Sequence, residues 1–209
     1  MVRNKIDDFL GKLHEILDNL NNNVNSVLSD EIARRAFANN AFDGALTLLG
    51  ILMGSLALPE FHPSTVIKIG VSACLAMGMS GTFGRFISER AERRKYLRQM
   101  EKELFTDLKG TRLEREAGRK IILISVVDGI SPALAAVIPL LPFFLAQASI
   151  IPVNLSIIAS FILVFLVLFA LGMFLGKTSE ENAFLFGGLV VSIGLVTSLI
   201  IFLISSYFS

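Results

Sequence analysis

Long apolar stretches separated by short polar segments dominate the pattern of this chain. Five apolar stretches lie at about residues 40–58, 65–87, 119–146, 152–175 and 183–207. A helix crosses a hydrocarbon core of roughly 30 Å with about 20 residues. The pattern therefore predicts an all-α, polytopic membrane protein with five transmembrane helices.

Polar segments precede the first span and follow the second. Residues 5–20 place apolar side chains at spacings of three and four, which is typical of an amphipathic helix. A second helix is expected to begin at Glu31, after the capping residues Ser29 and Asp30, and to lead into the first span. The charged stretch from Ser88 to Lys120 predicts one or two exposed helices broken near Gly110. We divide the chain into N-terminal helices (1–38), a first transmembrane hairpin (39–87), a charged loop (88–118), a second transmembrane hairpin (119–175), and a turn with the fifth span (176–209).

The distribution of positive charge predicts the orientation of these spans. Of the 19 Lys and Arg residues, five precede the first span and twelve lie between Arg85 and Lys120. Positive residues remain on the cytoplasmic side of a membrane. The N-terminus and the charged loop are therefore expected in the cytoplasm, and the C-terminus on the opposite side. The uneven distribution of Lys and Arg reflects membrane topology, so we expect the protein to contact a lipid bilayer and not nucleic acid.

Composition narrows the function classes further. Hydrophobic residues make up 53% of the chain and the mean hydropathy is +0.66, which predicts a multi-pass integral membrane protein, in the cell membrane if the source is prokaryotic. The single cysteine, Cys74, excludes a disulfide within one chain. Motifs such as HExxH, GxSxG and the P-loop are absent from the sequence. We therefore expect neither an enzyme nor a tightly bound cofactor.

The two predicted hairpins share a short internal similarity. Asp43-Gly44 near the start of the first span matches Asp128-Gly129 in the third span. Ala-x-Gly-Met, which ends at Met79 in the second span, recurs in the fourth span and ends there at Met173. Both hairpins run in the same direction, and such parallel repeats occur in transporters.

Asp43 and Asp128 are the only acidic residues, of eighteen, inside the predicted spans. A charged side chain near a helix centre costs about 2.5 to 3.5 kcal/mol on insertion scales. A carboxylate there is either protonated or ionised beside a bound cation, and a proton-exchanging carrier needs those two states. The alternative is that each Asp reaches water near the interface and only hydrogen-bonds a neighbouring helix.

Other side chains could complete a metal path. Asn40 precedes Asp43 by three residues and shares its helix face, where an amide oxygen could serve as a ligand. Met79 and Met173 offer thioether sulfur, which together with carboxylate oxygen suits a borderline metal such as ferrous iron. The acidic residues of the charged loop are weaker candidates for collecting metal from the cytoplasm: Glu101, Glu103, Asp107, Glu114 and Glu116. The alternative for the loop is an ordinary solvated helix with surface ion pairs such as Glu89 with Arg93.

Two segments carry a resemblance to a known family. RRAFANNAFDGALTLLGILMG (34–54) and SVVDGISPALAAVIPLLPFFL (125–145) resemble the first and third helices of the vacuolar iron transporter family. The resemblance covers about residues 33–207. The chain departs from the family pattern at Arg85, which stands where many members have an acidic residue, and in its charged loop, which is shorter and more basic than the family's metal-binding domain.

The resemblance implies a homodimer that exports ferrous iron or manganese from the cytoplasm in exchange for protons, with Asp43 on the path. The metal is then the cargo. Two alternatives stay open: a carrier or channel for another substrate, and a membrane scaffold that does not transport and recruits a partner through its first 30 residues.

Overall fold

A computed structural model describes residues 31–58, 60–105 and 111–208, and within these residues the chain forms five α-helices. They are α1 (Glu31–Leu56), α2 (Pro63–Leu104), α3 (Arg112–Gln147), α4 (Val153–Thr178) and α5 (Ala183–Phe208). Each contains a stretch that is long and apolar enough to cross a membrane. Within the described residues, the predicted all-α class is thereby confirmed, as is the prediction of five helices that are long and apolar enough to cross a membrane. The predicted amphipathic helix at 5–20 lies outside the described residues.

Local chemistry sets the helix ends. Pro63 occupies the first turn of α2, where a missing N–H costs no hydrogen bond. At the other end of α2, Phe105 adopts a left-handed conformation with φ of 52°, and its N–H donates to the carbonyl of Glu101. The side chain of Asn182 accepts a hydrogen bond of 3.0 Å from the N–H of Phe184 and so caps the start of α5.

Two helices differ from the boundaries predicted from hydropathy. The second span was expected to end near residue 87, but α2 continues without a break to Leu104. The charged loop is therefore built largely from direct extensions of α2 and α3, with its break between residues 104 and 112. α3 is one continuous helix, with Pro132, Pro139 and Pro142 inside it. Ser160 Oγ of α4 donates a 2.7 Å hydrogen bond to the carbonyl of Pro139 and so connects α4 to α3.

The core lies where α1 contacts α3, α4 and α5. Leu48, Leu49 and Leu52 of α1 are at most 1% exposed and belong to one cluster with Phe143 of α3 and Leu168 of α4. By contrast, large apolar side chains cover the outward faces of the other helices, such as Leu75 of α2 and Leu185 of α5, which are 66% and 72% exposed. Apolar residues on both sides of a helix are typical of a bundle surrounded by lipid.

Glycines allow α3 to approach two other helices closely. A Cβ atom added to Gly44 of α1 would overlap the backbone of Pro132. A Cβ atom on Gly81 of α2 would lie 2.8 Å from the carbonyl oxygen of Asp128. Small residues are the usual means of close helix contact in membranes. These contacts fix α1, α2 and α3 around the position of Asp128.

Candidate transport cavity

A polar cavity of about 340 Å³ lies between α1, α2 and α3. It is lined by Arg35, Ala36, Asn39 and Asn40 of α1, Arg85 of α2 and Asp128 of α3. The volume is within the range of small-ligand sites in proteins. The cavity lies toward the end of the bundle from which the charged extensions of α2 and α3 project, since Arg85 lies just before the charged extension of α2.

Asp128 is held in the cavity by a hydrogen bond from another helix. Its side chain is 13% exposed, and Asn40 Nδ2 donates to its Oδ1 atom over 2.7 Å. The same amide group donates to the carbonyl of Ala36 over 2.9 Å, one turn earlier in α1. Two acceptors therefore fix the orientation of Asn40, and Asn40 fixes one oxygen of the carboxylate.

The second oxygen of Asp128 faces an arginine. Arg85 Nε lies 3.8 Å from Asp128 Oδ2 and 3.5 Å from Glu89 Oε1, one turn further along α2. The guanidinium of Arg85 is thus shared between carboxylates on two helices. An unpaired charge at membrane depth is costly, and this arrangement compensates Asp128 with a positive charge.

The backbone at Asp128 is unusual as well. Proline has no N–H, so Pro132 cannot donate to the carbonyl of Asp128 four residues earlier. That carbonyl oxygen is the atom closest to Gly81, where α2 approaches α3. Asp128 therefore presents both a carboxylate and a carbonyl oxygen that lacks its helical partner.

The predicted site residues are distributed unevenly around this cavity. Asn40 and Asp128 line it and contact each other, which joins two of the five predicted path residues. Asp43 does not line it. Its side chain is exposed on α1. The prediction that Asn40 and Asp43 share a helix face is only partly met, because Asn40 turns toward α3 and Asp43 points outward.

The methionines lie away from the cavity lining. Met79 is 59% exposed, and Met173 is half-buried on α4. Met77, two residues before Met79, contacts the main apolar cluster instead. No group of three or more His, Cys, Asp or Glu side chains lies close enough to hold a metal ion among the described residues.

The acidic candidates of the charged loop fall at the ends of α2 and α3. Glu101 and Glu103 lie in the last turn of α2, where Glu103 is exposed and Glu101 is half-buried. Asp107 lies outside the described residues. Glu114 and Glu116 lie in the first turns of α3, and the structure describes their backbone only.

In the two repeated motifs the glycines have equivalent surroundings, whereas the aspartates have different ones. Gly78 lies against Gly129 of α3, the next helix in the chain, and Gly172 likewise lies against Gly187 of α5. The returning helix of each hairpin thus uses the same glycine for the same kind of contact. The two aspartates are not equivalent, because Asp128 lies within the bundle and Asp43 on its surface.

Sequence reasoning missed the contribution of α2 to the cavity. Arg85 was noted only as a departure from a family pattern, and Glu89 was paired with Arg93 as a surface interaction. The spacing of four residues between Arg85 and Glu89 was the available signal, together with the position of Arg85 at the end of an apolar stretch.

The sequence is similar to that of an archaeal protein. It is 28% identical over 186 residues to an uncharacterized protein of Methanocaldococcus jannaschii, a match that covers 88% of this chain and 94% of that protein. No protein-family model matches the chain. The relative has nearly the same extent as this chain, and its name states no function.

Proposed function

We propose that this protein is an integral membrane transporter that exports a divalent transition metal ion, ferrous iron or manganese, from the cytoplasm in exchange for protons. The observation that carries the proposal is Asp128, a carboxylate inside an apolar helical stretch that is 13% exposed and lines a polar cavity between three helices. Ionisable residues inside membrane helices are rare and usually mark substrate or ion pathways, and the cavity gives a substrate room to reach Asp128.

The carboxyl group of Asp128 can bind either a cation or a proton, which is what the exchange requires. As a carboxylate it attracts a cation into the cavity, and as a neutral acid it carries a proton. Asn40 holds one oxygen of Asp128 in place, and its own amide oxygen is a further ligand atom at the same site. Binding of the cation displaces the proton, and binding of the proton releases the cation, so each turnover exchanges the two.

The orientation follows from the charges beyond the cavity. The positively charged extensions of α2 and α3 are at the same end of the bundle as the cavity, and positive segments remain in the cytoplasm. Under this orientation the cavity opens toward the cytoplasm. Asp128 is then the carboxylate of the cavity lining that an exported cation meets.

The proposal includes a homodimer formed through α1. Asn39, Asp43 and Thr47 are exposed at four-residue spacing on one face of α1, with Gly50 and Gly54 continuing the same stripe. A polar stripe against lipid is unfavourable, and small residues in the same stripe allow two helices to approach. A second copy would bury Asp43, and Asn39 connects this stripe to the cavity.

Manganese flux into proteoliposomes tests the proposal. Asp128→Asn is expected to abolish flux, Asp43→Asn to reduce it strongly, and the Asp43→Ala, Asp128→Ala double variant to leave none. Glu181→Gln, in the exposed turn before α5, is the matched control that removes an acid remote from the cavity. Undiminished flux in the double variant would disprove the mechanism.

Oxidative cross-linking tests the dimer. With Cys74 replaced by Ala, Thr47→Cys on the polar stripe is expected to give a covalent dimer in membranes. Ser80→Cys, exposed on α2, is the control and is expected to remain monomeric. Cross-linking through Ser80→Cys alone would place the interface elsewhere.

One observation favours a second candidate, a carrier for a small solute with an anionic group. The cavity lining contains two guanidinium groups, Arg35 and Arg85, but only one carboxylate. Arginine binds carboxylate and phosphate groups well. Thermal stabilisation of the detergent-solubilised protein separates the candidates, since a ligand at 100 times its Kd adds about 2.7 kcal/mol. Stabilisation by small organic anions and not by manganese would favour the second.

A further inference from the structure

Arg85 lies where two carboxylates converge on one positive group. Its Nε atom is within 4 Å of Glu89 on its own helix and of Asp128 on α3. Both carboxylates are largely buried, with side-chain exposures of 22% and 13%. A positive group between two carboxylates, beside a cavity, occupies the kind of position that a bound cation would take.

The arginine is held by charge more than by fixed hydrogen bonds. Its Nε atom is buried and has no hydrogen-bond partner among the described residues, although two carboxylate oxygens lie nearby. Asp128 Oδ1, in contrast, has a short hydrogen bond from Asn40. One side of the Asp128 carboxylate is therefore fixed, and the side that faces Arg85 is free to exchange its partner.

Glu89 offers Arg85 a second position on the same helix. Residues four apart on a helix are neighbours, so the guanidinium can pair with Glu89 alone by a change of side-chain rotamer. Such a rotation of the Arg85 side chain needs little backbone movement. One turn away, the close contact of Gly81 with the backbone of Asp128 holds α2 and α3 together.

We propose that Arg85 is a tethered cation that competes with the transported metal ion for Asp128 and turns to Glu89 when the metal ion binds. Repulsion between like charges a few ångströms apart is strong inside a protein, so Asp128 cannot hold both at once. When neither a metal ion nor a proton is bound, Arg85 compensates the charge of Asp128. This inference rests on the proposed function. It adds that Arg85 of α2 lowers the affinity of Asp128 for the metal ion.

Manganese binding to the full-length protein in detergent, followed by electron paramagnetic resonance, tests this competition. Arg85→Gln is expected to bind Mn²⁺ about tenfold more tightly than the unmodified protein, because the competing charge is gone. Arg90→Gln is the matched control. It removes the same charge from an exposed side chain of α2 that lies over the ring of Phe86, and it is expected to leave the affinity unchanged.

Two further variants separate competition from a structural ion pair. Arg85→Lys keeps a positive charge and is expected to retain the original affinity. Glu89→Gln removes one of the two carboxylates near Arg85. Arg85 then has no alternative to Asp128 of those two, so the Mn²⁺ affinity is expected to fall. Glu89→Gln also keeps the test decisive if Arg85→Gln does not fold, which gel filtration and thermal unfolding would reveal.

The outcomes distinguish this inference from the proposed function. If the unmodified protein binds Mn²⁺ and Arg85→Gln binds it equally or more weakly, Arg85 is not a competitor, while metal transport still stands. If neither protein binds Mn²⁺, transport of manganese is refuted, and the inference with it. Loss of the tenfold gain in an Arg85→Gln, Asp128→Asn double variant would locate the gain at Asp128.

Discussion

The two Asp-Gly pairs of this chain show how one short motif acquires different roles. In α3, Asp128 is enclosed by α1 and α2, and a hydrogen bond from Asn40 and the charge of Arg85 surround its carboxylate. In α1, Asp43 is exposed on the outer face of the bundle. The glycine that follows each Asp makes a close helix contact in both places. The motif thus fixes helix packing, and the neighbouring helices decide what the carboxylate does.

The largest expected effect comes from replacing each of the two aspartates by asparagine in a separate variant. Asp128→Asn is expected to lower Mn²⁺ affinity of the detergent-solubilised protein by a hundredfold or more, which corresponds to about 2.7 kcal/mol. Asp43→Asn is expected to change the affinity of a monomer little, because its side chain does not line the cavity. Isothermal titration with Mn²⁺ measures both. Equal losses in a monomeric sample would contradict the distinction between the two acids.

A smaller effect is expected from filling the space beside Asp128. In Gly81→Ala the new Cβ would lie 2.8 Å from the Asp128 carbonyl oxygen, so the two backbones must separate. Overpacking of this kind costs about 1 to 3 kcal/mol.

Thermal unfolding in detergent should therefore show a lower midpoint for Gly81→Ala. Gly84→Ala, three residues along α2 with no atom within 4 Å of the added Cβ, is the control and should unfold at or above the original midpoint. If both variants behaved alike, the close contact of α2 with α3 at Asp128 would not be supported.

The smallest expected effect concerns the hydrogen bond to Asp128. Asn40→Ala removes the donor to Asp128 Oδ1 and should destabilise the protein by about 1 kcal/mol. It should also weaken Mn²⁺ binding severalfold, since the carboxylate loses its fixed orientation.

Asn39→Ala is the paired variant, because Asn39 lines the cavity from an exposed position on the same helix. It is expected to leave the unfolding midpoint nearly unchanged. Unfolding midpoints and Mn²⁺ titrations of the two variants make the comparison. A larger destabilisation by Asn39→Ala would show that the orientation of α1 differs from that described.

Much of the fold could be predicted from the sequence because a bilayer constrains it strongly. Apolar stretches of about 20 residues predict spans, since a helix satisfies its own backbone hydrogen bonds. The capping residues Ser29 and Asp30 predicted a helix that leads into the first span, and α1 runs from the first described residue, Glu31, through that span. The end of α2 could not be predicted from hydropathy, because a charged helix that leaves the membrane continues without any apolar signal.

The site could be predicted only in part. Asp128 was identified because a carboxylate inside an apolar stretch is costly, and Asn40 was identified because it shares a helix face with Asp43. Their direct contact joins residues 88 positions apart, and nothing in local spacing encodes it. Met79 shows the reverse case, because its place in a repeat pointed to the path and its side chain faces outward.

The sequence by itself therefore determined the five apolar helices, the glycines at their crossings and the presence of two acids inside apolar stretches. These properties depend on length, side-chain size and the cost of charge, all of which can be read along one chain. The tertiary structure alone decided which acid faces a cavity, and that Arg85 and Glu89 accompany it. The reason is physical: the rotation of each helix about its axis depends on packing against its neighbours, and that rotation turned Asp128 inward and Asp43 outward.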